Sequence, residues 1–328
     1  MKNITENVRM NRFTAFLISF LVAGAAWAQA YPTRAVRVVV PWPPGQATDI
    51  AARVVAQKLQ EPLGQPFVID NKPGAGGSIG TDIVAKSAGD GYTLLAASSG
   101  PVSIMPSLQK VPYDPLKDLQ PVSLMCVNAY ALVTRPDFPA SNAKEFVALL
   151  RANPDKFTFS SSGTGATAHL VAELFNSMAG IKARHVPYKG SAPALTDIMN
   201  GQIDYTLETI ASVASQVRAG RLKMLGVSFA RGSAAFPEAP PLATAAELPG
   251  YDIGAWIGYA AAPGTPREVV ARLSAEVQKA IQASDVKERF TTLGLEPRAM
   301  SPEEMGAFLR KEQARYADII KSANIKVE

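Results

Sequence analysis

Hydrophobic residues between positions 36 and 59 follow two periods in succession. Val36, Val38, Val39 and Val40 make an apolar run of strand length, and Pro41 to Asp49 interrupts it. Ile50, Ala51, Val54, Val55, Lys58 and Leu59 then recur at the three-to-four spacing of one helix face. The pattern predicts strand, stiff loop, helix, with Thr48 or Asp49 capping the free N–H groups of the first turn. Pro41, Pro43 and Pro44 restrict the conformations open to the loop. A helix that starts at a loop mouth presents N–H donors and a positive dipole end, which suits an anion. An ordinary strand-to-helix turn of an α/β sheet would read the same way.

The same succession returns at Phe157 to Ala179. Phe157 to Ser160 reads as a strand, Ser161 to Thr167 as a loop of small residues, and Leu170, Val171, Leu174, Phe175 and Met178 as a helix face ending at Gly180. Strands are predicted at Phe67–Ile69, Tyr92–Ala97, His185–Tyr188, Ile203–Leu207 and Lys223–Ser228. Helices are predicted at Ile79–Ala88, Ser141–Arg151 and Ala192–Asn200, and before Gly220. This alternation predicts a mainly parallel sheet with functional loops at the strand C-terminal ends, Ser98 among them. Val122–Val133 and Trp256–Ala262 are longer apolar segments, read as strands crossing between two lobes. The predicted architecture is α/β and two-lobed, with two crossing strands and a central cleft. Residues 29–127 and 257–328 form lobe 1, and residues 128–256 form lobe 2.

Further along, Thr265-Pro266-Arg267-Glu268 and Ser301-Pro302-Glu303-Glu304 read as capping boxes with proline at the first helical position. Gly232 to Pro249, rich in alanine and proline, reads as a surface loop. At the N-terminus a basic stretch, an apolar run from Phe13 to Ala26 and Ala26-Trp27-Ala28 read as a signal peptide over residues 1–28, with Met1 and Met10 both candidate starts.

The chain has 328 residues, 47% hydrophobic and 19% charged, which suits a globular protein of about two domains. Lys2, Arg9 and Arg12 against Glu6 place +2 of the formal +5 in the signal segment, leaving +3. No basic block interleaved with aromatics is present, so nucleic acid is not expected as a partner. Cys126 is the single cysteine, so no internal disulfide can form, and its apolar surroundings predict a small buried hydrophobe. With two histidines and no Gly-x-Ser-x-Gly or His-Glu-x-x-His motif, enzyme signatures are absent. Gly74 to Gly80 is not followed by Gly-Lys-Ser/Thr, and Gly163-x-Gly165 lacks a third glycine, so neither reads as a nucleotide loop. No cofactor or metal is expected.

Four segments carry a family resemblance: Val40-Pro41-Trp42-Pro43-Pro44-Gly45-Gln46-Ala47-Thr48-Asp49, Asn71-Lys72-Pro73-Gly74-Ala75-Gly76-Gly77-Ser78-Ile79-Gly80, the serine-glycine loop with His169-Leu170, and His185-Val186-Pro187-Tyr188-Lys189-Gly190. From about Tyr31 to the C-terminus the chain resembles the Bug/TctC family, the periplasmic solute-binding proteins of tripartite tricarboxylate transporters. The resemblance implies a Venus-flytrap periplasmic binding protein that closes on a small organic carboxylate. It would deliver that solute, as a monomer, to membrane transporter subunits; a ligand-reporting protein acting on a membrane sensor kinase is the rival reading, and an enzyme a third.

The expected anion frame comprises the N–H groups following Gly45 and Gly165, with the hydroxyls of Thr48, Ser162, Thr164 and Thr167. Pro44, Ala47, Asp49 and Gly163 belong to the same two mouths. His169 either meets the ligand or satisfies a neighbouring carbonyl, and Lys189, after Tyr188, is either an ion partner or an exposed turn residue. Trp42, where the family commonly has phenylalanine, is either a stacking wall or a larger piece of core. Two further departures bear on the solute: Gln46 replaces a usual glycine, and Glu208-Thr209 stands where an Asp-Asn pair is common.

Overall fold

The computed structural model describes residues 31–323 and 325, so the signal-peptide reading of residues 1–28 lies outside the described residues. The opening unit is β1 (Val36–Val40) and α1 (Ala47–Leu63). After it come β2 (Phe67–Asn71), α2 (Ser78–Ala85) and β3 (Thr93–Ser98). β1 pairs in parallel with both β2 and β3. Its side chains alternate as a doubly covered strand requires: Val38 and Val40 pack with Ala51, Val55 and Leu59 of α1, whereas Val39 packs on the other face with Leu95 and Trp256.

The predicted crossing strand is present as β4, Gln120–Thr134, fifteen residues long. Before it, β3 runs into a wide π-type turn at Gly100–Ile104 and a short helix α3 (Met105–Leu108), neither of which the hydrophobic pattern indicated. The first ten residues of β4 pair antiparallel with β9 (Gly254–Ala261), from Gln120 opposite Ala261 to Ala129 opposite Gly254. β9 also pairs antiparallel with β3. From Tyr130 onward β4 joins the second half of the sheet, pairing with β7 (Tyr205–Thr209) and β8 (Lys223–Val227). Register shifts at Pro121/Ser123, Leu124/Cys126 and Leu132/Val133 allow so long a strand to bend.

The second half repeats the parallel design. α4 (Ala143–Ala152) precedes β5 (Thr158–Ser161) and α5 (Thr167–Ala179); β6 (Arg184–Pro187) and α6 (Ser191–Met199) follow. β5 lies between β6 and β7, parallel to both. α7 (Ile210–Arg218) and the short α8 (Leu242–Ala245) complete this half. Gly232 to Pro249 is not only a surface loop, because it buries Phe236, Ala239, Leu242 and Leu248 and contains α8.

The chain then returns through β9 to α9 (Arg267–Gln282), α10 (Ser284–Thr292), β10 (Leu295–Pro297) and α11 (Pro302–Ser322). The Ser301 capping box forms as expected: the Ser301 hydroxyl accepts the Glu304 N–H, and the Glu304 carboxylate accepts the Ser301 N–H. The Thr265 box does not form. Pro266 occupies the N-cap, and the Thr265 hydroxyl donates instead to the Ala262 carbonyl at 2.8 Å. At α1 the N-cap is Gln46, with no side-chain cap; Thr48 and Asp49 sit inside the first turn rather than before it. α11 spans both halves: Met305 and Leu309 pack with Val39 and Trp256, while Tyr316 and Ile320 pack with Phe175 and Tyr251. Cys126 is a fully buried free thiol.

Two connections therefore join the halves, β4 going out and the segment before β9 coming back, and Ser228 ties them together. Its hydroxyl accepts the Tyr130 N–H at 2.8 Å and donates to the Ile253 carbonyl at 2.5 Å. Its backbone N–H reaches the Tyr130 carbonyl, and its carbonyl accepts the Ile253 N–H. Close packing of the outgoing and returning strands leaves no room at Gly258, where an added Cβ would lie 2.7 Å from the Ser123 carbonyl oxygen and 3.1 Å from Leu124 Cα. Both are backbone atoms of β4, which cannot move without shifting the ladder. Gly258→Ala is expected to lower unfolding free energy by about 1–3 kcal/mol, read from urea denaturation; an unchanged midpoint and slope would show that the crossing strands are not tightly packed there.

Candidate functional site

Both loop-helix mouths open onto one cavity of about 40 Å³ between the halves. Trp42, Gln46, Ala47 and Thr48 line it from the first mouth, Ser98 from the end of β3, and Ser162 and Thr167 from the second mouth. Glu208 and Thr209 come from the end of β7. A hollow of about 790 Å³ also exists, but it opens on the outer face between α9 and α11, among Arg267, Gln278, Glu303 and Arg310, away from both mouths. The smaller cavity is the better site, since it alone combines helix N-termini with buried convergent polar groups.

The first mouth is held rigid by Asp49. Its carboxylate accepts the Gly45 N–H at 2.9 Å, the Asn71 amide at 2.9 Å and the Arg53 guanidinium at 3.0 Å. Burial opposes ionisation of Asp49, but the Arg53, Gly45 and Asn71 donors outweigh it and hold the carboxyl below the usual carboxylate range. Asp49 thus shapes the loop, and its oxygens are already engaged. Trp42 is both wall and core. It is 8% exposed, its indole N–H donates to the Ser98 hydroxyl at 2.8 Å, and its carbonyl accepts the Asn71 amide. Pro44 and Gly45 are exposed at the rim.

Gln46 reaches across the cleft, donating from Nε2 to the Ser191 hydroxyl at 3.2 Å. Near it, a Cβ on Gly190 would meet Pro43 at 3.0 Å. The second mouth makes its own contact with the first half. Gly165 has φ +75°, and an added Cβ there would collide with the Met105 sulfur, so conformation and space both demand glycine.

His169 serves the second mouth. It is 4% exposed, its Nδ1 accepts the Gly165 N–H at 3.4 Å, and its ring stacks on His185 with centroids 4.1 Å apart. His185 stacks in turn on Phe159, and its Nε2 lies 2.7 Å from the Ser161 hydroxyl. Burial, and secondarily His169, push the His185 imidazole down to about 3. These rings form a stacked support beneath the loop and do not line the cavity. Nor do Gly163 and Thr164, which are half-buried in the loop, or Lys189, which is exposed. Tyr188 donates to Asp197 at 2.5 Å, and burial with that bond pushes its phenol up to about 12.

Glu208 is the one charged side chain in the lining. It is 3% exposed, and one oxygen accepts the Thr209 N–H at 2.8 Å. Burial raises its carboxyl above the ordinary range, while donors from Thr209, Ser191 and Ser162 partly offset that rise.

Five lining residues were not in the expected set: Asn128, Tyr130, Ala255, Trp256 and Ile257. All belong to the crossing strands, whose apolar character hid them. Asn128, the polar break in the run from Val122 to Val133, was the available signal. It is 1% exposed, and neither polar atom of its amide has a protein partner; the Trp256 indole N–H is likewise buried and unpartnered.

Comparison with known proteins gives a consistent picture. Residues 51–325 match the family described as tripartite tricarboxylate transporter family receptor. The protein BugT of Bordetella pertussis is 36% identical over 332 residues, covering 98% of this chain and 100% of BugT. A protein of Rhodopseudomonas palustris solved with adipate superposes with a TM-score of 0.87 at 33% identity, covering 90% of this chain and 99% of that one. MatC from the same organism, with bound malate, gives 0.82 at 32% identity, covering 88% and 100%.

The Asp49 arrangement generates a pH-dependent expectation. A depressed carboxyl contributes stability that is complete above the ordinary aspartate pKa of about 4 and is lost as pH falls through its lowered value. Asp49→Asn is expected to destabilise the ligand-free protein by about 1–3 kcal/mol at pH 7, with the deficit shrinking below about pH 4. Denaturant melts at pH 7 and pH 3 check this, and a deficit of the same size at both would remove the role assigned to the charge.

Proposed function

The chain belongs to the tripartite tricarboxylate transporter receptor family, and from that membership and its cavity we infer that it captures a small organic carboxylate in the periplasm for membrane transporter subunits. The carrying observation is that the N-termini of α1 and α5 meet across one cavity whose lining is uncharged except for Glu208. The carboxylate is taken by first-turn N–H groups and the hydroxyls of Thr48, Ser162 and Thr167, a frame of neutral donors. Gly163, Thr164 and Gly165 shape the second mouth without lining it. Adipate and malate, the ligands of the two Rhodopseudomonas proteins, are acids that suit such donors.

The reading assigns binding and release to the protein, with no chemical step. Residues 29–127 with 257–328 form one jaw and 128–256 the other, the C-terminal part of α11 leaning on the second. No helix among the described residues is long and apolar enough to cross a membrane. Export relies on the segment 1–28. Gln46–Ser191, Pro43–Gly190 and Met105–Gly165 join the two mouths beside the cavity, and parting the jaws widens the way in for a solute. A ligand touching both jaws binds the closed form better than the open one, and only that difference shifts the population.

Mass spectrometry of the co-purifying solute, followed by a thermal-shift screen of carboxylic acids, tests the reading. With an acid shown by calorimetry to bind, the radius of gyration of the stripped protein is expected to fall on ligand addition and the melting temperature to rise with ligand concentration. Thr167→Val is expected to weaken that acid about tenfold, the scale of one hydrogen bond, and to blunt both responses. Tight binding with no compaction, and with Thr167→Val indifferent, would replace the clamp with a preformed one-jaw site.

A further inference from the structure

If the cavity is a carboxylate site, its lining also carries a carboxyl group of its own. Glu208 brings a second negative charge, 3% exposed, with no lysine or arginine among the lining residues to balance it. Thr209 N–H donates to it; burial raises its carboxyl, donors from Thr209, Ser191 and Ser162 partly offset that rise, and a cation beside it would favour the carboxylate further. Tyr130, the other titratable side chain of the lining, is a buried phenol and supplies no positive charge. An ionised buried group without a counter-ion is costly, so a bound molecule is the natural source of one.

Asn128 adds an independent observation. Its amide is fully buried in the lining, and neither Nδ2 nor Oδ1 finds a partner in the protein. A native structure rarely leaves a buried amide wholly unsatisfied, so this one points to a ligand that both accepts and donates. The cavity thus presents two kinds of group: donors from helix N-termini and hydroxyls, and acceptors from Glu208 and Asn128 Oδ1.

We propose that the solute carries a protonated nitrogen beside its carboxylate, that Glu208 receives the nitrogen, and that Asn128 completes its hydrogen bonding. The cavity of about 40 Å³ is narrow, and an α-amino acid is the most compact solute that carries both groups. A dicarboxylate would set its second anionic group against Glu208 unless a proton were taken up on binding.

Matched pairs test this directly, since L-alanine and L-lactate, or L-aspartate and L-malate, differ chiefly in an ammonium against a hydroxyl. With wild-type protein stripped of co-purifying solute, at least one amino member is expected to bind ten or more times more tightly than its hydroxy counterpart. E208Q should remove that preference by weakening the amino member at least tenfold relative to its hydroxy counterpart. Equal or tighter binding of the hydroxy acid, or an amino member indifferent to E208Q, overturns the proposal. So does proton uptake on malate binding, measured calorimetrically in two buffers, because it would make Glu208 a neutral donor to a second carboxylate. The wild-type comparison decides even if E208Q fails to fold. Binding of lactate or malate alone would overturn this inference and leave the carboxylate site standing; failure of all four compounds overturns it too, and failure of the wider acid screen as well would remove both readings.

Discussion

A single strand, β4, has its backbone hydrogen bonds divided between the two halves of the molecule, and the rest of the architecture is constrained by that division. Residues Gln120 to Ala129 are laddered to β9, and Tyr130 to Thr134 to β7 and β8. The halves cannot part without keeping both ladders, because each broken bond would leave buried N–H and C=O groups unpaired. The ladder changes partner between Ala129 and Tyr130. Ser228 pins the same point, bonding to Tyr130 and to Ile253 on the returning chain. Two of the cavity's polar residues, Asn128 and Tyr130, thus lie on either side of the point where β4 passes from one half to the other.

Electrostatics then decide what the cavity can hold. Taking one isolated charge out of water costs several kcal/mol, whereas a typical neutral hydrogen bond returns only about one. The first mouth avoids the penalty by spending its acid on itself: Asp49 is neutralised by Arg53 and bonded to Gly45 and Asn71, so it stiffens the loop without presenting charge to the cleft. The second mouth is supported by stacked, buried histidines, and His185 is held neutral there. Both helix N-terminal ends therefore present dipoles and hydroxyls to the cavity. Glu208 stands apart from this economy, since its shell contains donors but no cation.

Local periodicity was enough to locate most of the elements. The runs at Val36–Val40 and Val122–Val133 and the helix faces after Asp49 and Thr167 correspond to β1, β4, α1 and α5, because each buries a face against neighbours of the same kind. Caps were less legible. Thr265 and Ser301 have the same four-residue pattern, but only Ser301 caps, since the helix after Pro266 begins one residue later and leaves Thr265 to bond Ala262. Among site residues, Gln46, Thr48, Ser162, Thr167 and Glu208 line the cavity. Thr164 and His169 do not, because loop order along the chain does not tell which side chains turn inward. The pairing of Gln46 with Ser191 joins positions 145 apart, and no local pattern encodes it. Asn128 was legible only as a polar letter in an apolar strand.

Contacts between the two mouths are few and neutral, whereas the Arg231–Glu296 ion pair and the Arg218 bond to the Thr292 carbonyl join the jaws elsewhere. Gln46 and Ser191 are joined by a neutral hydrogen bond of 3.2 Å, Pro43 packs against Gly190, and Met105 packs against Gly165. No salt bridge among the described residues joins the two mouths. A neutral bond of this kind is worth about 0.5–1.5 kcal/mol, which biases the equilibrium between open and closed forms without locking it. Moving such an equilibrium from 1:99 to 99:1 takes about 5.5 kcal/mol of differential affinity. In the proposed clamp the ligand would supply most of it, through donors from both helix N-termini and through whatever satisfies Asn128 and Glu208. Glycines at 165 and 190 let the two mouths approach closely, since an added Cβ would meet Met105 at one and Pro43 at the other; water displaced by a bound solute would strengthen the polar contacts left behind.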